Sequence, residues 1–283
     1  KLYKAKKLHG KNSCFLLQYG AAFYKHKTAI ADGQQSLSFA ELYEEVTALS
    51  SIIHHQTEDK EDVTAVLVCN NSIQHILLLF AIQNTGMKLV LINDKNHQND
   101  ILNIINTQKN PCLVFASESK MLQVENLVCV EELFNYTEKK QIHFKPSQKA
   151  AAVIFPTSGT TGASKLIQKK EGAFYWFRSF TDLVTYTGIY KQKSVFIAVP
   201  VSHGFGYTAL MFSLVLGKKA VVAANKDWNQ KADIILQEKA ELIAGVPTSL
   251  FYLAEKLKGK NHQVGLIISG GAPLNQLTLD SIT

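Results

Sequence analysis

"VTAVLVCNNSIQHILLLFAIQNTGMKLVLIN", Val63–Asn93, contains a complete strand, helix and strand. "VTAVLVC" is a short apolar run rich in β-branched residues, the pattern of a strand buried on both faces. "NSIQHILLLFAIQNTG" then reads as a helix that starts near Ser72, a good N-cap residue, and stops at Gly86, a good C-terminal one. "KLVLIN" is the next buried strand. Strand, helix and strand at this spacing predict a βαβ unit and a parallel sheet.

Upstream, "SFAELYEEVTALSSIIHH" has Ser38 and Glu41 at capping-box spacing, and Leu42, Val46, Leu49 and Ile53 recur on one helical face. Downstream, "NDILNIINTQ" reads as a helix and "PCLVFA" as another strand. Between Thr137 and Lys149 the chain turns polar and lysine-rich, as a connection between subdomains does. The alternation then resumes: "AAVIFP", "SVFIAVP", "KAVVAA", "ELIAGV" and "VGLIIS" are strand-like, with helical segments between them, including "GYTALMFSLVLG" and "TSLFYLAEKLKG". The expectation is an α/β protein of two stacked subdomains, residues 1–147 and 148–283, each with a largely parallel sheet.

Composition narrows the function. The 283 residues are 46% hydrophobic and 19% charged, which is ordinary for a folded globular chain. The net charge of +7 resides almost wholly on lysines, because Arg178 is the only arginine. Surfaces that read bases or fork phosphates lean on guanidinium groups, so no nucleic-acid partner is expected. Cys14, Cys69, Cys112 and Cys129 have no C-x-x-C spacing and read as small core residues, and no histidine spacing suggests zinc. No apolar run approaches the roughly 20 residues that span a bilayer, and no signal peptide is evident. A cytoplasmic location is the expectation.

"FPTSGTTGASK", Phe155–Lys165, directly follows one of the strand-like runs and concentrates small donors. Loops that leave the carboxyl ends of parallel strands form the ligand crevice of an α/β sheet. Thr157, Ser158, Thr160 and Thr161 offer hydroxyls, Gly159 and Gly162 let backbone N–H groups approach an anion, and Lys165 adds positive charge. Such a set suits a polyphosphate. The alternative is a surface loop of turn composition. Walker A spacing is not met, since Ala163 and Ser164 separate Gly162 from Lys165, and no G-x-G-x-x-G occurs.

T-S-G-T-T-G-x-x-K resembles the phosphate-loop signature of the adenylate-forming enzymes, which include acyl-CoA synthetases, 4-coumarate-CoA ligases, firefly luciferase and peptide-synthetase adenylation domains. Further segments agree in order: "VPVSHGFGYTALMFSLVLGKKAVV" is similar to the P-x-x-H-x-x-G segment, "GVPTSLFYL" to the V-P-T helix start, and "IISGGAPLNQ" to the S-G-G-A-P-L turn. The resemblance covers nearly the whole chain and implies an αβαβα arrangement.

It also implies a chemistry. A carboxylate attacks the α-phosphorus of ATP and releases pyrophosphate; a thiol, that of coenzyme A or a carrier protein, then displaces AMP from the acyl-adenylate. Attack of one anion on another needs fixed donors and a metal to offset the repulsion. By the resemblance, Thr157 to Gly162 and Lys165 hold the ATP phosphates, with Thr161 at Mg²⁺ and Lys165 and His203 as the catalytic candidates. Gly270, Gly271, Ala272 and Pro273 lie against adenine, and His203, Phe205, Gly206 and Tyr207 border the acyl pocket. The bland alternatives are a strand-to-helix turn for the glycines and a hydrogen-bonded core histidine for His203. "PVSHGFGYT" has no acidic residue to pair with an amino group, so a fatty or aryl acid is expected rather than an amino acid.

The chain departs from the pattern in three places. Ser164 stands where the family usually has proline, and "LIQKKEG" replaces the usual continuation, so Lys169, Lys170 and Glu171 receive no family role. The family's C-terminal lid, with its lysine, and the Y-G-x-T-E segment have no counterpart here. The expectation is a part of a ligase that binds nucleotide weakly and does not turn over alone. The competing reading is a degenerate relative that keeps the fold as a binding or scaffold module.

Overall fold

The computed structural model describes residues 7, 12–57, 62–120, 122–137, 144–149, 151–157, 165–169, 184, 187–274 and 276. The first sheet is built from β3 (Thr64–Cys69), β4 (Lys88–Asn93), β5 (Cys112–Ala116), β6 (Leu127–Cys129), β7 (Val153–Thr157) and β8 (Lys165–Lys169), in the order β6-β5-β3-β4-β7-β8. The second is β12-β11-β9-β10-β1-β2, from β1 (Thr28–Ala31), β2 (Ser36–Ser38), β9 (Ser194–Ile197), β10 (Lys219–Val221), β11 (Leu242–Gly245) and β12 (Leu266–Ser269). All pairings are parallel except two edge hairpins, β1 with β2 and β7 with β8. The expected α/β class with largely parallel sheets is what forms. A division at residue 147 does not separate the two sheets, however, because β1 and β2 join the second and β7 and β8 complete the first.

Among the described residues the longer helices are α1 (Phe15–Phe23), α2 (Phe39–Thr57), α3 (Ile73–Thr85), α4 (Gln98–Asn106), α5 (Val130–Thr137), α6 (Gly204–Val215), α7 (Trp228–Gln237) and α8 (Pro247–Leu257). Local chemistry sets their ends. Ser38 accepts the Glu41 N–H while Glu41 accepts the Ser38 N–H, closing the capping box at α2. Ser72 caps α3 by accepting the His75 N–H, and Gly86 ends that helix at φ 84°. Pro247 opens α8 at a position that needs no N–H donor.

Strand alternation distributes the layers. Ala65, Leu67 and Cys69 of β3 face a central core shared with Leu42, Val46 and Leu49 of α2, Leu78 of α3, Leu210 of α6 and Val195 and Ile197 of β9. Val66 and Val68 face the opposite way, onto Ile101, Ile104 and Ile105 of α4. Phe196, Val221 and Ile243 face outward onto Ile235 of α7 and Leu250 and Leu253 of α8. The result is αβαβα, with α1, α2, α3 and α6 between the sheets. Cys14 and Cys69 are buried as expected, whereas Cys112 and Cys129 are only half-buried, each on a strand away from the sheet's centre. Among the described residues no helix is long and apolar enough to cross a membrane.

Candidate functional site

In the second sheet β9 has β10 on one side and β11 on the other. The chain leaves β9 for α6 in the central layer and leaves β11 for α8 on the outer face, so the two loops part and open a crevice at the strands' carboxyl ends. Three segments border it: the expected His203–Gly206 after β9, Val246–Thr248 after β11, and the expected Gly270–Pro273 after β12.

Gly206 sits where α6 touches the backbone of its own entry loop. A Cβ there would overlap the Pro200 carbonyl oxygen and come within 2.7 Å of its carbon. The second glycine of "HGFG" is therefore required by packing that fixes the start of α6. His203 is the N-cap of α6, its N–H donating to Pro200 O at 3.0 Å and its carbonyl accepting the Tyr207 N–H at 2.9 Å. Its side chain makes no capping bond and stands exposed at the crevice rim. Partial desolvation holds the imidazole below its usual range, favouring the neutral form.

Phe205 lies across from the glycine turn, with its ring 3.1 Å from where a Gly270 Cβ would stand. Gly270 N–H donates to Gly245 O at 3.2 Å, and Gly271 takes φ 85° beside Val246. Gly271, Ala272 and Pro273 are exposed, and the two glycines have no side chains of their own to keep a flat ring from their backbone.

Tyr207 has a different place. It is buried at 6%, its hydroxyl accepts from Gln83 Nε2 at 2.8 Å, and its ring packs on Phe155 with centroids 5.6 Å apart. It props the strand that leads to the donor-rich loop and does not lie with Phe205. β7 ends at Thr157, which pairs with Lys165 of the antiparallel β8. Ser158, Gly159, Thr160, Thr161 and Gly162 lie outside the described residues, and with them the Mg²⁺ position at Thr161. Among the described residues no group of His, Cys, Asp and Glu could hold a metal ion.

Two polar residues that the sequence reading passed over organise the site. Asn71, after β3, donates to Val199 O at 2.8 Å and accepts the Val201 N–H at 2.8 Å, tying the first sheet to the loop that carries His203. Gln83, fully buried in α3, accepts from Asn12 Nδ2 on its carbonyl at 2.6 Å while its side chain reaches Tyr207. The doublet "NN" after a strand was the one available signal for Asn71. In the first sheet the corresponding crevice, between β3 and β5, is filled by protein: His75 Nε2 meets Ser117 Oγ at 3.2 Å, and its Nδ1 lies 3.0 Å from Asn70 Oδ1. Asn70 Nδ2 donates to Asp94 Oδ2, which makes Asn70 Oδ1 an acceptor and puts the imidazole proton on Nδ1.

Beneath α6 is a cavity of about 180 Å³. Phe205, Ala209, Phe212 and Leu216 line its helix side, and Leu242, Ala244 and Ile268 line its sheet side. It begins two residues before the glycine turn, at Ile268 and Phe205, and ends at Leu216 and Lys218 near the amino edge of the sheet.

Residues 17–282 match the profile of a protein family described as AMP-binding enzyme. The chain belongs to the AMP-binding enzyme family. Among curated members it is similar to the 2-succinylbenzoate--CoA ligase of Bacillus subtilis (strain 168), 26% identical over 261 residues that cover 91% of this chain and 53% of that protein. It is also similar to the 4-coumarate--CoA ligase-like 3 of Arabidopsis thaliana, 23% identical, covering 87% and 49%. The chain thus spans about half the length of the AMP-binding relatives it matches. Of the solved AMP-binding structures, the O-succinylbenzoate coenzyme A synthetase of Bacillus subtilis in complex with AMP superposes with a TM-score of 0.80 at 22% identity, over 94% of this chain and 69% of that one. The same enzyme in complex with ATP and magnesium ion gives a TM-score of 0.79 at 23% identity, over 94% and 56%. At these identities the likeness shows the fold.

Proposed function

We propose that this chain supplies the nucleotide- and acid-binding part of an AMP-forming acid–thiol ligase. The observation that carries the reading is the convergence of the His203 loop, the Val246 loop and the Gly270–Pro273 turn at one switch point of the second sheet. Family membership and the names of the relatives support it.

The roles proposed are those that the resemblance implies. Adenine lies on the Gly270–Pro273 backbone, and the donors of Thr157–Gly162 with Lys165 face the phosphates. His203, whose partial desolvation favours the neutral imidazole, donates a ring N–H to the acid's carboxylate without adding charge. Phe205 separates the nucleotide side from the cavity under α6. The acid is a plain carboxylic acid, and the relatives named for succinylbenzoate and coumarate favour an aryl acid over a fatty acid. Coenzyme A is the thiol acceptor that those names favour, with a carrier-protein thiol as the alternative. ATP and Mg²⁺ are the co-substrate and ion proposed for the Thr157–Lys165 segment.

Calorimetric titration of the chain with AMP and with an aroyl-sulfamoyl adenosine tests the reading. We expect the acyl analogue to bind more tightly than AMP, and Gly271→Val to abolish both, since the new side chain would occupy the adenine surface at a positive φ. Equal, unchanged binding in that variant would refute the placement.

A further inference from the structure

The amino ends of the second sheet's strands lie at the edge opposite the crevice, and four neighbours there carry a lysine each. Along the order β11-β9-β10-β1, Lys239 shortly precedes β11, Lys193 precedes β9, Lys219 opens β10 and Lys27 precedes β1. Strands lie about 4.8 Å apart, so the row crosses about 14 Å. These four residues and Lys218 border an open groove of about 680 Å³, beside the exposed ring of Tyr190.

The charges round the groove do not balance. Five lysines meet two glutamates, and both carboxylates are engaged: Glu238 Oε2 accepts from Lys219 Nζ at 2.8 Å, and Glu241 Oε2 accepts the Lys193 N–H at 2.7 Å. Three of the chain's net seven positive charges therefore gather here. α6 and α7 end beside the groove, and the partial charges of their carboxyl ends offset roughly one of the three. Lys218 adds to the imbalance from below the surface. It is 5% exposed, and its ammonium donates to the carbonyl oxygens of Gln192 and Tyr190 rather than to a carboxylate. Burial holds it below the usual lysine range, with Glu241 pulling the other way and Lys27 adding to the depression. A buried charge without a counter-charge is costly, and an anion in the groove would supply one.

We infer that this groove binds a soluble phosphoanhydride chain of three or more phosphoryl groups, at a site separate from the nucleotide crevice. The inference goes beyond the ligase reading and does not depend on it. Lysine presents a compact charge that suits phosphoryl oxygens, whereas a planar carboxylate is favoured by a guanidinium fork, and no arginine borders the groove. A row of ammonium groups across four strands matches an extended chain of negative charges better than one compact ion. A flat lipid surface would meet the exposed lysines and leave Lys218 uncompensated. Free polyphosphate and a nucleoside triphosphate share the required chemistry.

The test is calorimetric titration with inorganic tripolyphosphate and with ATP of the wild-type chain, of Lys27→Gln with Lys193→Gln, and of Thr160→Ala with Thr161→Ala. Lys27 and Lys193 are exposed and glutamine keeps most of their length, so the fold should survive, which circular dichroism checks. We expect the lysine variant to bind tripolyphosphate about tenfold more weakly than the wild type, and the threonine variant to keep the groove's affinity. The amide resonances of Thr28 and Ser194 should shift on binding in NMR spectra of the wild type and the threonine variant. Judged by those same shifts, tighter binding of ATP than of tripolyphosphate identifies a nucleoside-borne chain, and weaker binding a free one. Equal tripolyphosphate affinity in the wild type and the folded lysine variant, or no binding by the folded wild type, overturns the inference. So does binding to phosphatidylserine vesicles that the lysine variant loses and tripolyphosphate does not compete with, which would assign the face to a lipid surface. Each of these results leaves the ligase reading untouched.

Discussion

Asn71 holds Val201: the side-chain oxygen of the first accepts the backbone N–H of the second at 2.8 Å, across the boundary between the two sheets. The same amide donates to Val199 O, so one side chain from the first sheet fixes both ends of the turn that presents His203. Breaking this clamp leaves a buried N–H and a buried carbonyl without partners. Asn71→Ala is expected to cost about 1–3 kcal/mol in urea denaturation. It should also broaden or shift the His203 ring resonances in NMR spectra. Asn71→Asp keeps the acceptor and loses the donor, and should fall between.

Gly206 gives a second prediction. A methyl group at this position collides with the Pro200 carbonyl, which belongs to backbone and cannot rotate aside. Gly206→Ala should destabilise the chain by about 3 kcal/mol, at the upper end for overpacking. It should weaken acyl-adenylate analogue binding in the same measurement. Gly204→Ala, where a Cβ meets nothing within 4 Å, is the control and should be close to neutral.

His75 links stability to pH. Burial holds its imidazole below the usual range, with Asp94 and Glu131 pulling weakly the other way. The unfolded chain therefore binds the proton more readily than the folded one. Stability contributed by neutral His75 is present above the unfolded pKa of about 6.5 and is lost as pH falls through the lower folded value. Thermal midpoints measured from pH 7.5 to 5 should drop, and His75→Gln should flatten that slope.

Tyr207→Phe removes the acceptor of the buried Gln83 amide while leaving the ring on Phe155. The expected loss is about 1–2 kcal/mol. A structural prop predicts this loss without a change in acid selectivity among the acyl analogues, whereas a pocket residue would change selectivity.

The sequence revealed the long parallel strands because each is buried on both faces and so reads as an unbroken apolar run, as "KLVLIN" and "VTAVLVC" do. It concealed the edge hairpins. β8, "KLIQK", has Leu166 37% and Ile167 55% exposed, which erases the burial pattern that marks a strand. Tyr207 was expected with Phe205 at the entrance of the acyl pocket because the resemblance implied it. Residues two apart on a helix point about 200° apart, however, so Phe205 faces the cavity under α6 and Tyr207 meets Gln83 of α3. Asn71 and Gln83 were unreadable for another reason: a polar residue near a strand end or in a helix looks solvated until the partner element, more than a hundred residues away in chain order, is known.

Acid-dependent exchange of labelled pyrophosphate into ATP, run on the protein that carries these residues with a panel of aryl and alkyl carboxylic acids, tests the central claim most directly. The ligase account predicts exchange with at least one aryl or alkyl carboxylic acid, and its loss in the double variant Thr160→Ala with Thr161→Ala. Nucleotide binding by the folded protein with no exchange for any acid would contradict it and leave a binding module in place of a ligase.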